Sequence, residues 1–199
     1  MATETEVKIR LNDLEGFRRR LASMECPLLS PRHFEDNYLL DFPDGRMFER
    51  RSLLRVRFAA NKAWMTYKGP PKLEGIFKTR EELEIEVQNG SVALRILENL
   101  GMRVWFRYQK YRQEYAMTVP GKPDEKVHLA LDETPVGNYV EFEGSEDGIR
   151  QTAEAMGFNE SMFLRASYYA LYVQYCGDRG ESPGDMVFPD EQAVKNLPI

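Results

Sequence analysis

Cysteine and histidine are scarce. The chain of 199 residues holds two of each, Cys26 and Cys176, His33 and His128. Two cysteines cannot build a disulfide scaffold or a thiolate metal centre, and they fit a reducing cytosol. The histidines stand in no metal-ligand spacing, which argues against histidine-based zinc chemistry. Each reads as a structural or surface residue. Long apolar runs are missing too, and the first residues are charged rather than an apolar signal segment. A cytoplasmic protein with no membrane partner is therefore expected. Positive charge is not in excess. The net charge of -5 argues against a broad nucleic-acid surface, and nucleic acid is not an expected partner. Hydrophobic residues make up 42% of the chain, enough for one substantial domain or for a closed barrel with packed helices.

What the chain has in quantity is alternation. In the opening run Thr3 to Arg10, the residues Glu4, Glu6, Lys8 and Arg10 fall on one face of a strand, with Val7 and Ile9 on the other. Two nearby carboxylates repel each other unless a cation lies between them, and Mg²⁺ takes oxygen ligands of this kind. Taken alone, the run suits a solvated face as well as a site for a divalent metal and an anion. The same layout then recurs. Arg55 and Arg57 oppose Leu54, Val56 and Phe58, while Lys68 aligns with Thr66 and Trp64 before Gly69-Pro70-Pro71 ends the strand. Lys78, Arg80, Glu82, Glu84 and Glu86 share a face opposite Leu83, Ile85 and Val87. Lys110, Arg112 and Glu114 share another. Asp132 opposes Leu129 and Leu131, and Glu141 and Glu143 flank Phe142.

Three segments repeat a plan of Glu-x-Glu strand, polar break and amphipathic helix. The first helix carries Leu14, Phe17 and Leu21, with Asn12 and Glu15 as a capping pair. The second carries Val92, Leu94, Ile96, Leu97 and Leu100 and stops at Gly101. The third runs through Ile149, Ala153 and Met156 to Gly157. Hairpin-like strands are expected over roughly 34–41, 50–60, 63–69, 76–88, 103–118 and 126–133, with turns at Asp44-Gly45, Ala60-Asn61 and Pro120-Gly121. A last helix is expected over about 161–174, its aromatics serving as packing. The domain is read as residues 1–176, followed by an irregular tail over 177–199 that wraps the body or stays loose.

At least seven strands with one charged face cannot turn those faces into an apolar core. With so many antiparallel strands, twist and exposed edges favour closure. The expected architecture is α+β: a closed antiparallel β-barrel, its charged interior forming a tunnel and its helices packed outside. Surplus lysines and arginines there would hold a polyanion, and carboxylates would hold a bridging metal.

The ordered set Glu4-x-Glu6-x-Lys8, Asp36-x-Tyr38, Leu54-Arg55-x-Arg57, Thr66-x-Lys68-Gly69-Pro70, Lys78-x-Arg80-x-Glu82, Lys110-x-Arg112, Leu131-Asp132, Glu141-x-Glu143 and Ser167-Tyr168 resembles the CYTH superfamily, the triphosphate tunnel metalloenzymes. The resemblance runs from residue 4 to about residue 175. It implies that Glu4, Glu6, Glu141 and Glu143, with Asp132, hold one or two Mg²⁺ or Mn²⁺ ions. It implies that Lys8, Arg55, Arg57, Lys68, Arg80, Lys110 and Arg112 clamp a triphosphate. Glu4, Glu6 and Lys8 would then be catalytic, with Arg10, Lys78, Glu82, Glu84 and Arg165 orienting their neighbours. Metal-dependent hydrolysis of a triphosphate is the expected activity, on tripolyphosphate, ATP or thiamine triphosphate. The alternatives are a class IV adenylate cyclase and a non-catalytic polyphosphate- or nucleotide-binding module. An RNA-end triphosphatase is disfavoured by the negative charge. No residue set specifies adenine, Trp64 and Trp105 read as packing, and a homodimer is left open.

Overall fold

The computed structural model describes residues 3–24, 26–72 and 75–189. Its strands are β1 (Thr3–Leu11), β2 (Leu28–Asp41), β3 (Leu53–Ala59), β4 (Lys62–Lys68), β5 (Lys78–Val87), β6 (Arg103–Val119), β7 (Lys122–Thr134) and β8 (Gly137–Glu143). Its helices are α1 (Leu14–Ser23), α2 (Arg46–Glu49), α3 (Gly90–Asn99), α4 (Glu146–Ala155) and α5 (Tyr168–Gly177). The strands form a closed antiparallel barrel in the order β1-β5-β4-β3-β2-β6-β7-β8. Closure comes from β1, which pairs Glu4 with Arg80 of β5 along one edge and Glu6 with Glu143 of β8 along the other.

Much of the apolar core lies outside the barrel wall, while a further cluster that includes Leu39, Phe106, Tyr108 and Tyr168 borders the barrel's own cavity. Val7, Ile9 and Leu11 of β1, with Leu129, Leu131, Val140 and Phe142 of β7 and β8, pack under Phe17 and Leu21 of α1, Ile149 and Ala153 of α4 and Met156 at its C-terminal cap. A second cluster puts Leu94 and Leu97 of α3 over Leu40, Val56 and Met65. These outward faces are apolar halves of alternating strands, so their burial favours turning the charged halves of the same strands inward. Each of the three strand–helix units has a side-chain cap: Asp13 accepts from Gly16 N at 2.8 Å, Asn89 from Val92 N at 3.0 Å and Ser145 from Gly148 N at 2.9 Å. The first cap is Asp13, not the expected Asn12.

Several boundaries differ from the sequence reading. The expected strand over 50–60 begins only at Leu53, because the chain first makes the short α2. β2 reaches back to Leu28 across register shifts around Pro31, which has no N–H to give the ladder. The expected helix over 161–174 is broken. A 3-10 turn over Glu160–Met162 is followed by Leu164, which exchanges backbone hydrogen bonds of 3.0 and 2.8 Å with Lys8, and the helix starts only after Ser167. Past α5 the chain turns back along β6. Met186 is buried in a parallel bridge to Tyr108, and Asp185 accepts from Arg107 N at 2.8 Å. The tail thus wraps the body as far as the described residues go; 190–199 lie outside them.

Candidate active site

Small eight-stranded barrels are usually filled by their own side chains. This one encloses a cavity of about 1280 Å³ lined by Glu4, Glu6, Lys8, Arg55, Arg57, Lys68, Lys78, Arg80, Lys110, Arg112, Glu141 and Glu143, among others. Strand alternation puts them there, and register sets who meets whom. Lys68 Nζ bonds both oxygens of Glu4, at 2.7 and 2.8 Å, and Glu82 at 2.7 Å. Lys78 bonds Glu6 at 2.8 Å, and Lys8 lies 2.8 Å from Glu141 and 3.5 Å from Glu6. Arg80 Nε approaches Glu4 at 3.6 Å.

Across the tunnel, Arg112 makes a two-pronged bond to Asp132 at 2.7 and 2.6 Å and a short contact with Glu141. Lys110 bonds Asp132 at 3.0 Å and lies 3.5 Å from Glu35. Arg57 bridges Glu35 at 2.9 Å and Glu84 at 3.1 Å. Arg55 donates to the Tyr108 hydroxyl at 3.3 Å and to Thr66 Oγ1 at 3.2 Å. Almost every cation thus has a carboxylate partner, as buried charge requires. Three guanidinium donors make no hydrogen bond. The Nε–H groups of Arg55 and Arg57 are buried without an acceptor, and that of Arg80 has only its 3.6 Å ion contact with Glu4.

Protonation follows the pairing. Burial pushes the Glu6 carboxyl up, but Lys8 and Lys78 outweigh it and hold it well below the usual range. Glu141 is likewise depressed against burial, by Lys8 and Arg112. Burial would lower the Lys8 ammonium, yet Glu141 and Glu6 raise it instead. Lys78 is different: burial wins, with help from Lys8 and Arg80, and brings it down to about 8. Glu143 moves the other way, to about 7, through burial and then the negative charges of Glu4, Glu6 and Glu82. It is half-exposed, so solvent screens part of that repulsion.

The site residues expected from the sequence, Glu4, Glu6, Lys8, Arg55, Arg57, Lys68, Arg80, Lys110, Arg112, Asp132, Glu141 and Glu143, all lie on inward faces of the barrel. Asp132 is fully buried and saturated by Lys110, Arg112 and the Tyr168 hydroxyl, which donates to it at 2.5 Å. Glu141 is held by Lys8 and Arg112. Of the residues expected to orient others, Lys78, Glu82 and Glu84 pair inside. Arg165 reaches the backbone oxygens of Gly75 and Lys72, and Arg10 is exposed.

Sequence reasoning missed Glu35, Tyr108 and the role of Tyr168. Asp36 and Tyr38 drew attention as a motif, but they face outward, where Asp36 pairs with Arg107; Glu35 and Asn37 are the inward residues. Alternation along β2 was the signal that could have found Glu35. Tyr168 is more than packing: its ring lies 5.2 Å from both Lys8 Nζ and Lys110 Nζ.

The described strands thus form a closed barrel with paired acids and cations around an open cavity. The CYTH domain family matches residues 2–161, and the chain belongs to it. It is 25% identical over 179 residues to a Methanocaldococcus jannaschii protein named as a putative adenylate cyclase, covering 84% of this chain and 97% of that one. The fold is similar to a Vibrio parahaemolyticus structure described in the same words, with a TM-score of 0.72, 19% identity, and 84% and 96% of the two chains covered. It is also similar to a Hippeastrum protein described as a putative adenylyl cyclase that reveals a dominant triphosphatase activity, with a TM-score of 0.64, 19% identity, and coverage of 90% and 97%. No helix among the described residues is long and apolar enough to cross a membrane.

Proposed function

We propose that the protein is a metal-dependent triphosphatase that holds its substrate in the barrel tunnel, in the cytoplasm. The observation that carries this reading is the cavity of about 1280 Å³. A paired charge network kept only for stability would close on itself, and replacing such pairs by apolar residues is often neutral or stabilising. Here the charges surround space. Guanidinium N–H groups of Arg55, Arg57 and Arg80 that make no hydrogen bond lie among them, and phosphate oxygens are their natural acceptors.

The carboxylates divide into two sets. Asp132 and Glu141 act as counter-ions that fix Lys8, Lys110 and Arg112 in the clamp. Glu4, Glu6 and Glu143 form an oxygen-only donor set, with Glu6 and Glu143 directly paired across β1 and β8. As the side chains stand, no group of three or more metal-ligating residues among those described is arranged around one point. The lysines Lys68 and Lys78 occupy the carboxylates instead. A triphosphate would draw those ammonium groups to its own oxygens, and the negative charge already raising Glu143 suits a divalent cation in their place. Mg²⁺ or Mn²⁺ so held supplies charge neutralisation at the phosphoryl group and a more acidic water. The side chains Lys8, Arg55, Arg57, Lys68, Lys110 and Arg112 bind and align the phosphate chain, which is most of what phosphoryl transfer asks of a protein.

Hydrolysis is favoured over cyclisation because the inward residues read phosphate and the activity described for the Hippeastrum relative is triphosphatase. The test is a product assay. Incubation with tripolyphosphate, thiamine triphosphate or ATP, plus Mg²⁺ or Mn²⁺, should release inorganic phosphate faster than it forms cyclic AMP. Rapid conversion of ATP to cyclic AMP and pyrophosphate, with tripolyphosphate inert, would make the cyclase reading the right one. Binding without any turnover would leave a polyphosphate-binding module.

A further inference from the structure

Asn37 stands on the inner face of β2, two positions from Glu35, and both residues are fully buried. Across one edge of β2 it is paired with Arg57, and across the other with Tyr108. Among the described residues, neither its amide oxygen nor its amide nitrogen has a hydrogen-bond partner. Asparagine is a poor strand former, and a buried amide left unmatched costs stability. A branched apolar residue would hold this place better in the structure as it stands.

The neighbours of the amide show what it can serve. Residues directly opposite on a shared face have Cβ atoms about 5 Å apart, so Arg57 is rooted beside Asn37. The Arg57 guanidinium leans along β2 to Glu35 and bonds its Oε1 at 2.9 Å. His33 Nε2 lies 3.5 Å from that same oxygen. The other carboxylate oxygen, Oε2, makes no hydrogen bond and has Lys110 Nζ 3.5 Å away. Arg57 and Lys110 both line the cavity and belong to the clamp. A phosphate chain bound there competes with Glu35 for them. The carboxylate is then left in a dry place with less compensation, and that penalty weakens binding.

We infer that Asn37 is a positioning residue for the triphosphate site: as the phosphate chain draws Arg57 and Lys110 off Glu35, the Asn37 amide donates to that carboxylate in their place, directly or through one buried water. The inference rests on the triphosphate reading of the tunnel. It gives the amide a partner in the one state in which Glu35 lacks its own. Residues two apart on one strand face stand about 7 Å apart, within reach of a short and a long side chain or of a bridging water. The amide carries no charge, so it does not displace Arg57 while Arg57 is in place.

The experiment compares wild type, Asn37→Val and Asn37→Thr by thermal melts without ligand and by calorimetric binding of a methylene-bridged, non-hydrolysable tripolyphosphate analogue in Mg²⁺. Valine and threonine have the same shape, and only threonine keeps a donor. Asn37→Val should raise Tm by about 3 °C, because it removes an unmatched buried amide, yet weaken binding about tenfold. Asn37→Thr should bind within about threefold of wild type. In a Glu35→Gln background the loss caused by Asn37→Val should disappear, since no buried charge is left to compensate. A residue that serves the fold alone would lower Tm when changed to valine. That fall, or binding by Asn37→Val equal to wild type, or a loss that persists in full beside Glu35→Gln, overturns the inference and leaves the clamp standing. Failure of the analogue to bind wild type removes the triphosphate reading, and the role of Asn37 with it.

Discussion

Glu6→Gln is expected to cut triphosphate turnover by about a hundredfold or more while the barrel stays folded. Glu6 is 5% exposed and balances Lys78 at 2.8 Å and Lys8 at 3.5 Å. Losing a buried counter-ion usually costs stability. Here Lys78 already sits at about 8 and can shed its proton once Glu6 is neutral, while Lys8 keeps Glu141. The fold therefore has an escape that catalysis does not. Steady-state kinetics across a Mn²⁺ titration, with a melt of the same sample, checks both halves. Near-normal turnover at limiting metal would remove Glu6 from the metal set.

Glu35→Gln should act in the opposite sense, on stability first. Glu35 is fully buried and faces Arg57 at 2.9 Å, Lys110 at 3.5 Å and His33 at 3.5 Å. Its neutralisation leaves two buried cations under-compensated, a loss of about 3 kcal/mol and roughly 6–12 °C in Tm for a domain of this size. The effect carries a pH signature. Burial raises the Glu35 carboxyl, but Lys110, Arg112, His33 and Arg57 outweigh it and hold it well below the usual value of 4.5. A depressed acid contributes its stability above the unfolded value and loses it as pH falls through the folded one. The gap between wild type and Glu35→Gln should thus be full at neutral pH and narrow steadily below about pH 4. Melting curves from neutral to acid pH test it, and a gap that does not change with pH would mean the residue matters for shape rather than charge.

Much of this was legible in the sequence because strand alternation is a local property. Lys8, Arg57, Lys68 and Glu141 needed only their parity along a strand to be placed inside, and the apolar residues between them only a wall to cover. What failed was set by contacts distant in sequence. Leu164 leaves a helical pattern because Lys8 offers it a free backbone edge, 156 positions away along the chain. Met186 sits in a stretch rich in Gly, Pro and Asp, and only the open flank of β6 beside Tyr108 gives it a place. α2 is four residues long, too short to show a period, and depends on Asp41 rather than on its own pattern. Glu35 was hidden by a neighbour: Asp36-x-Tyr38 stood out as a motif, yet those residues face outward. The division of the carboxylates into counter-ions and free donors depends on which cation each one meets across the tunnel, and register, not composition, decides that.

The most direct measurement is a diffraction experiment on crystals grown with Mn²⁺ and tripolyphosphate, recorded where manganese scatters anomalously. The account predicts an anomalous peak against Glu4, Glu6 and Glu143 and a phosphate chain along Arg55, Arg57, Lys68 and Lys110, with Lys68 withdrawn from Glu4. A tunnel that keeps its Lys68–Glu4 and Lys78–Glu6 pairs, with manganese and polyphosphate bound elsewhere or not at all, would contradict it.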